Sequence, residues 1–148
     1  MKIIPFEILT LQQDGYHIIL HIELLEKKFK MVLDTGASKT VLDRTTLLEA
    51  GIDEQKLIET SILSSGLGTN EMQSAIFILP YLRIGDWECK KFEVAVLDLS
   101  TINYAYSQIN ADPVVGVIGG DILNKYGAVI NYKKKTLQLN ERAKKSHS

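Results

Sequence analysis

The chain has 148 residues, 45% of them hydrophobic and 24% charged, with a formal charge of -1. That is enough chain for one domain with a sizeable core, and the near-neutral balance argues against both a disordered polyelectrolyte and a basic nucleic-acid binder. No stretch reaches the roughly 20 consecutive apolar residues of a membrane span, and the single cysteine, Cys89, has no partner for an internal disulfide. Pro5 and Glu7 stand where a signal peptide keeps its apolar core, so the expected compartment is the cytoplasm.

In chain order, Ile3 to Leu11 shows a broken alternation, and Asp14-Gly15 is a pair that suits a tight hairpin turn. In the next strand Tyr16, Ile18, Leu20, Ile22 and Leu24 fall on one face and His17, Ile19, His21 and Glu23 on the other. His17 and His21 would share one face of a helix as metal ligands, but no third ligand accompanies them, and in a strand they read as solvated side chains. Glu26-Lys27-Lys28 reads as a polar turn, after which Phe29 to Leu33 leads to Asp34.

Met31-Val32-Leu33-Asp34-Thr35-Gly36-Ala37-Ser38 ends an apolar run in an acid, a hydroxyl and a glycine, the pattern of a buried strand emptying into a tight turn. A carboxylate at that position needs hydrogen bonds and a partner, or its pKa shifts, which is how a catalytic acid is made. Thr40-Val41-Leu42 returns as a strand, and Asp43 is placed to cap a short helix that Gly51 stops.

Leu57 to Leu63 and Met72 to Leu79 read as strands around a glycine-rich turn, Ser64 to Asn70. Its Gly-x-Gly lacks the lysine and the following helix of a phosphate loop. Arg83 to Trp87 is a turn, Phe92 to Leu97 a strand, and Cys89 a small packing residue near Trp87. Asp98 to Pro113 has no clean period and reads as a long loop able to line a cleft, with Tyr104 and Tyr106 as packing aromatics. Val114 to Ile118 is a buried-type strand, Asp121 to Tyr126 a short helix, and Ala128 to Ile130 and Thr136 to Leu139 are strands flanking a Tyr132 to Lys135 turn. Residues 1–140 form one domain without repeats, and 141–148 a polar, frayed tail.

Asp34-Thr35-Gly36-Ala37-Ser38-Lys39-Thr40-Val41-Leu42 resembles the active-site loop of retropepsin-like aspartic proteases. Val114-Val115-Gly116-Val117-Ile118-Gly119-Gly120-Asp121-Ile122-Leu123 is similar to their second signature, and the two occur in the family's order. The resemblance implies an all-β, closed β-barrel of the acid protease fold in a cellular, bacterial-type member, with one or two short helices, a flap hairpin and a two-fold homodimer. It implies an endopeptidase with no cofactor and no metal, whose partners are peptide or protein substrates and a second copy, not nucleic acid or membrane.

The residue roles carry over position by position. Asp34, Thr35 and Gly36 are the expected catalytic loop; Ala37 and Ser38 contact substrate main chain; Val41 and Ile118, beside Gly119, wall side-chain pockets. Gly66, Leu67 and Gly68 are the flap tip, which donates backbone N–H groups. An aspartic protease needs two carboxylates sharing one proton, because like charges that close do not both ionise. The chain has one Asp-Thr-Gly, so the second carboxylate comes from another copy. Asp121 is expected to hold structure. Gly120 stands where viral members commonly carry an arginine that supports the dimer. The strands around Ile3 to Leu9 and Thr136 to Leu139 are candidates for pairing either between chains or within one. The competing reading is a non-catalytic dimeric barrel of the same fold that binds extended peptides; Asp34, Thr35 and Gly36 together favour the enzyme, since a binder has no need for that acid.

Overall fold

The computed structural model describes residues 1–11, 15–60 and 74–142. Within them, β2 (Glu7–Leu11), β3 (Gly15–Leu24) and β4 (Lys27–Leu33) form an antiparallel meander, with Ile8 opposite Ile18 and Leu20 opposite Met31. Alternation along β3 sends Ile18, Leu20, Ile22 and Leu24 into one core and Ile19 into another. The turn between β3 and β4 is Leu25-Glu26, not the expected Glu26-Lys27-Lys28. Both residues take positive φ, 52° and 63°, because burial of Leu24 fixes its pairing with Lys27 and leaves only two residues to reverse the chain.

Beyond Asp34 come β5 (Val41–Asp43), α1 (Arg44–Glu49), β6 (Ile58–Thr60), β7 (Ser74–Ile84) and β8 (Trp87–Leu97). Asp43 caps α1 as expected: its carboxylate accepts the Thr46 N–H at 3.1 Å and also the Leu99 N–H at 2.9 Å. β9 (Gly116–Ile118) lies between β4 and β5, parallel to the first and antiparallel to the second. The sheet order is β2-β3-β4-β9-β5-β8-β7-β6, and a further β3–β7 pairing joins β3, β4, β9, β5, β8 and β7 into a ring around the main core. Leu20, Met31, Leu42, Leu79, Trp87 and Ile118 are fully buried there, each such side chain contributing about 1.5–3 kcal/mol. Cys89 also packs in this core, and burial pushes its thiol up to about 11.

The 98–113 segment departs from the expected loop. It contains α2 (Ser100–Ser107), and Ile102 and Tyr106 lie on one side of it at helical spacing, with Ile109 in the turn just beyond its end. That side packs against Leu11, Ile19, Val32 and Val114 to form a second, smaller core. Tyr106 is a packing aromatic, whereas Tyr104 is exposed. Asn103 replaces missing backbone bonds by pairing with both the N–H and the carbonyl of Val114, and Lys30 reaches Asp112 at 2.9 Å.

The chain ends in α3 (Gly120–Lys125), β10 (Val129–Asn131) and β11 (Thr136–Leu139). With β1 (Lys2–Pro5) these strands form a separate three-stranded sheet in the order β1-β11-β10. The terminal strands therefore pair within one chain, Ile4 facing Leu137. Among the described residues, no helix is long and apolar enough to cross a membrane.

Candidate active site

Asp34 sits where β4 stops pairing as a strand. Its backbone N–H donates to the Ile118 carbonyl at 2.9 Å, so the residue is fixed by the end of β9. Its Oδ1 accepts the Gly36 N–H at 2.9 Å, a bond that aims the carboxylate. The side chain is exposed although the three residues before it are buried. Gly36 leaves room for this geometry: a Cβ there would lie 3.3 Å from Oδ1.

The loop from Asp34 to Thr40 crosses the end of β9 and is tied down on both sides. The Ala37 N–H donates to the Asp34 carbonyl at 3.2 Å, and the Ala37 carbonyl accepts the Gly120 N–H at 2.7 Å. Thr40, fully buried, gives Asp121 both its N–H, at 2.9 Å, and its hydroxyl, at 2.7 Å. The Gly119 N–H donates to the same hydroxyl oxygen at 3.2 Å. Asp121 thus holds the loop, the structural role expected of it. Thr40 carries the other half of that lock; the loop-to-strand pattern alone marked it only as the first residue of a returning strand.

Backbone approach explains the glycines of the second signature. A Cβ on Gly116 would stand 2.1 Å from the Val41 carbonyl oxygen, and one on Gly119 would stand 2.7 Å from the Lys39 carbonyl group. Neither position accepts a side chain without separating the strands. At Gly120 a Cβ would meet only the Ala37 oxygen, at 3.4 Å, so no steric bar explains the absence of the viral-type arginine.

Thr35 and Ser38 are exposed and Ala37 is half-buried, all on the same loop as Asp34. Thr35 opens onto a groove of about 310 Å³ lined by Leu123, Ala128 and Ile130 among others. Val41 is half-buried and pairs with Val117, which in turn pairs with Val32. These three valines share the sheet face that carries Asp34. Ile118 points the other way and is fully buried in the main core. The wall position expected of Ile118 does not match that burial; Val117, one residue earlier, faces the Asp34 side because the alternation of β9 assigns odd and even residues to opposite faces. Gly66, Leu67 and Gly68 lie outside the described residues.

His17 and His21 occupy β3 and take separate partners. The His17 Nδ1 is 2.7 Å from the Tyr106 hydroxyl, and His21 Nε2 is 3.1 Å from Glu7. Burial pushes the Tyr106 hydroxyl up to about 12.

The β4–β9–β5 crossing and the ringed sheet define a retropepsin-like fold, and known proteins agree. A retropepsin-like aspartic protease from Rickettsia conorii is 24% identical, with a TM-score of 0.58, over 97% of this chain and 95% of that one. The retroviral protease-like domain of Ddi1 from Leishmania major is 12% identical, with a TM-score of 0.59, over 86% of this chain and 90% of that one. The sequence pattern of the aspartyl protease family matches residues 20–122, a span that holds the first signature and all but the last residue of the second. The chain belongs to the aspartyl protease family. No curated protein matches it.

Proposed function

We propose that two copies of this chain form an aspartic endopeptidase that hydrolyses peptide bonds in extended polypeptide segments. The observation that carries this reading is the Asp34 carboxylate, left exposed at the end of a buried strand on a loop tied to β9 and α3. A single exposed carboxylate is half of a catalytic dyad. A second copy related by a two-fold axis brings a second Asp34 and completes it.

With one proton shared between them, the ionised Asp34 takes a proton from a bound water as the water attacks the scissile carbonyl. The protonated Asp34 donates a hydrogen bond to that carbonyl oxygen. Collapse of the tetrahedral intermediate returns a proton to the leaving amine and restores the singly protonated pair. Thr35 hydrogen-bonds across the axis and keeps the two loops in register, and Gly36 lets backbone approach the water. The apolar groove beside Thr35 is surface that the second copy covers. Substrate lies as a strand along Ala37 and Ser38 under the flap tip at Gly66, Leu67 and Gly68, its side chains against Val32, Val41 and Val117.

Cleavage of a mixed peptide library from roughly pH 4 to 7, the range in which a carboxylate dyad holds one proton, tests the reading with native chain beside Asp34→Asn. Native cleavage and a silent mutant are expected. Silence of a folded, dimeric native chain that still binds the peptides would give way to the non-catalytic binding barrel; equal cutting by both would place the chemistry elsewhere.

A further inference from the structure

The sheet register brings one more side chain toward Asp34. β3 and β4 pair as far as Ile18 opposite Leu33, with Ile19 opposite Val32, and His17 and Asp34 are the residues next beyond that last pair on the two strands. Side chains alternate across a sheet, so His17, Ile19, Val32 and Asp34 share one face. That is the face on which α2 packs: Ile19, Val32 and Tyr106 belong to the same small core. Tyr106 is 1% exposed. Its ring meets the imidazole edge-on with centroids 5.7 Å apart, and its hydroxyl takes up Nδ1. The small core thus ends at half-buried His17, and the exposed catalytic loop begins next to it.

This arrangement has a consequence for a bound peptide. Tyr106 fixes the plane of the imidazole and leaves Nε2 as the ring's remaining polar atom. The bond forms whichever atom donates, the hydroxyl to a bare Nδ1 or Nδ1–H to the hydroxyl oxygen. Neither residue has a part in the dyad chemistry.

We propose that His17 is a substrate-positioning residue which, with the inserted helix α2, forms the cleft wall on one flank of Asp34. Its Nε2 hydrogen-bonds the extended peptide and favours a polar, hydrogen-bonding side chain beside the scissile bond. The inference rests on the proteolytic reading for its kinetic consequence, but not for the contact itself.

The test uses full chains of native sequence, His17→Phe, His17→Gln and Tyr106→Phe. Peptides differ only in threonine or valine next to the cleaved bond, a pair of equal shape and unequal hydrogen bonding. His17→Phe is expected to lose about five- to tenfold in kcat/KM, through KM, on the threonine peptides and not on the valine ones. His17→Gln restores most of the preference, and Tyr106→Phe, which keeps the buried ring, falls between. An equal loss on both peptides, or no loss, overturns the proposal and leaves the pair as an anchor for α2. Binding of the same peptides to Asp34→Asn chains with and without His17→Phe keeps the two readings apart. If native protein cuts nothing, a threonine-selective loss of binding still supports His17, and equal or absent binding overturns it.

Discussion

Two regions, the loop crossing at Asp34 and the seat of α2, are held by opposite means. On one side the loop crossing is fixed by short polar bonds, Thr40 to Asp121 and Gly120 to Ala37, and by glycines with no room for a Cβ. On the other, α2 is held by apolar packing of Ile102, Tyr106, Ile109 and Val114, with a few polar ties at Asn103 and His17. Bonds and backbone contacts define a position within tenths of an ångström, which proton transfer and attack by water require. Packing of a small satellite core tolerates repacking and volume-conserving change. The crossing is thus the rigid region and the seat of α2 the adaptable one.

Substitutions on the two sides should therefore fail differently. The largest effect is expected at Gly116→Ala, whose Cβ would sit 2.1 Å from the Val41 oxygen; a loss of about 4 kcal/mol or more is the scale of such a clash, read from the urea midpoint. A loss under about 0.5 kcal/mol, within the range of ordinary surface changes, would show that β5 and β9 part easily and that the crossing is not rigid.

Tyr106→Ala should cost about 3 kcal/mol, as for other buried aromatic truncations. Hydrogen exchange should localise the damage: α2 amides lose protection while those of β4 and β9 keep theirs. Loss of protection in both regions alike would erase the distinction between them. Asp121→Ala, which removes the acceptor for the Thr40 N–H and hydroxyl, is expected to cost about 2–3 kcal/mol. Cleavage should fall further than stability alone explains, since the loop at Asp34 loosens in molecules that remain folded. Asp121→Asn, with one acceptor oxygen left, should lie between.

Alkaline titration provides the smallest and most selective probe. Cys89 rises from 9.0 to about 11 in the main core and Tyr106 from 10.0 to about 12 in the small one, both through burial. In each case the unfolded chain ionises first. The stabilisation is complete below the unfolded pKa and is lost as pH climbs through the folded one, at about 2 kcal/mol per group. Urea midpoints should thus decline between pH 9 and 12, the span of these values. Cys89→Ala should remove the early part of the decline and Tyr106→Phe the later part. A decline unchanged by either substitution would remove burial of these two groups as its cause.

Several features were legible before any coordinates because they are set within a few residues. The Asp34-Thr35-Gly36 turn after an apolar strand, the Asp43 cap and the strand character of Phe29 to Leu33 follow from neighbours in sequence. So do the two signatures that name the family. α2 is not legible in sequence because its apolar residues, Ile102 and Tyr106, recur among polar ones in too short a run to separate from a loop.

Tertiary structure decided what depends on residues far apart along the chain. Insertion of β9 between β4 and β5 brings Gly116 against Val41 and Asp121 against Thr40, 81 positions away. The facing of Val117 and Ile118, the pairing of β1 with β11 inside one chain and the seat of Tyr106 on His17, 89 positions apart, are further cases. Local propensity sets turns, caps and alternation through short-range sterics and hydrogen bonds. Which strand lies beside which, and so which side chain stands next to Asp34, is fixed only when the whole chain closes its sheet and buries its two cores.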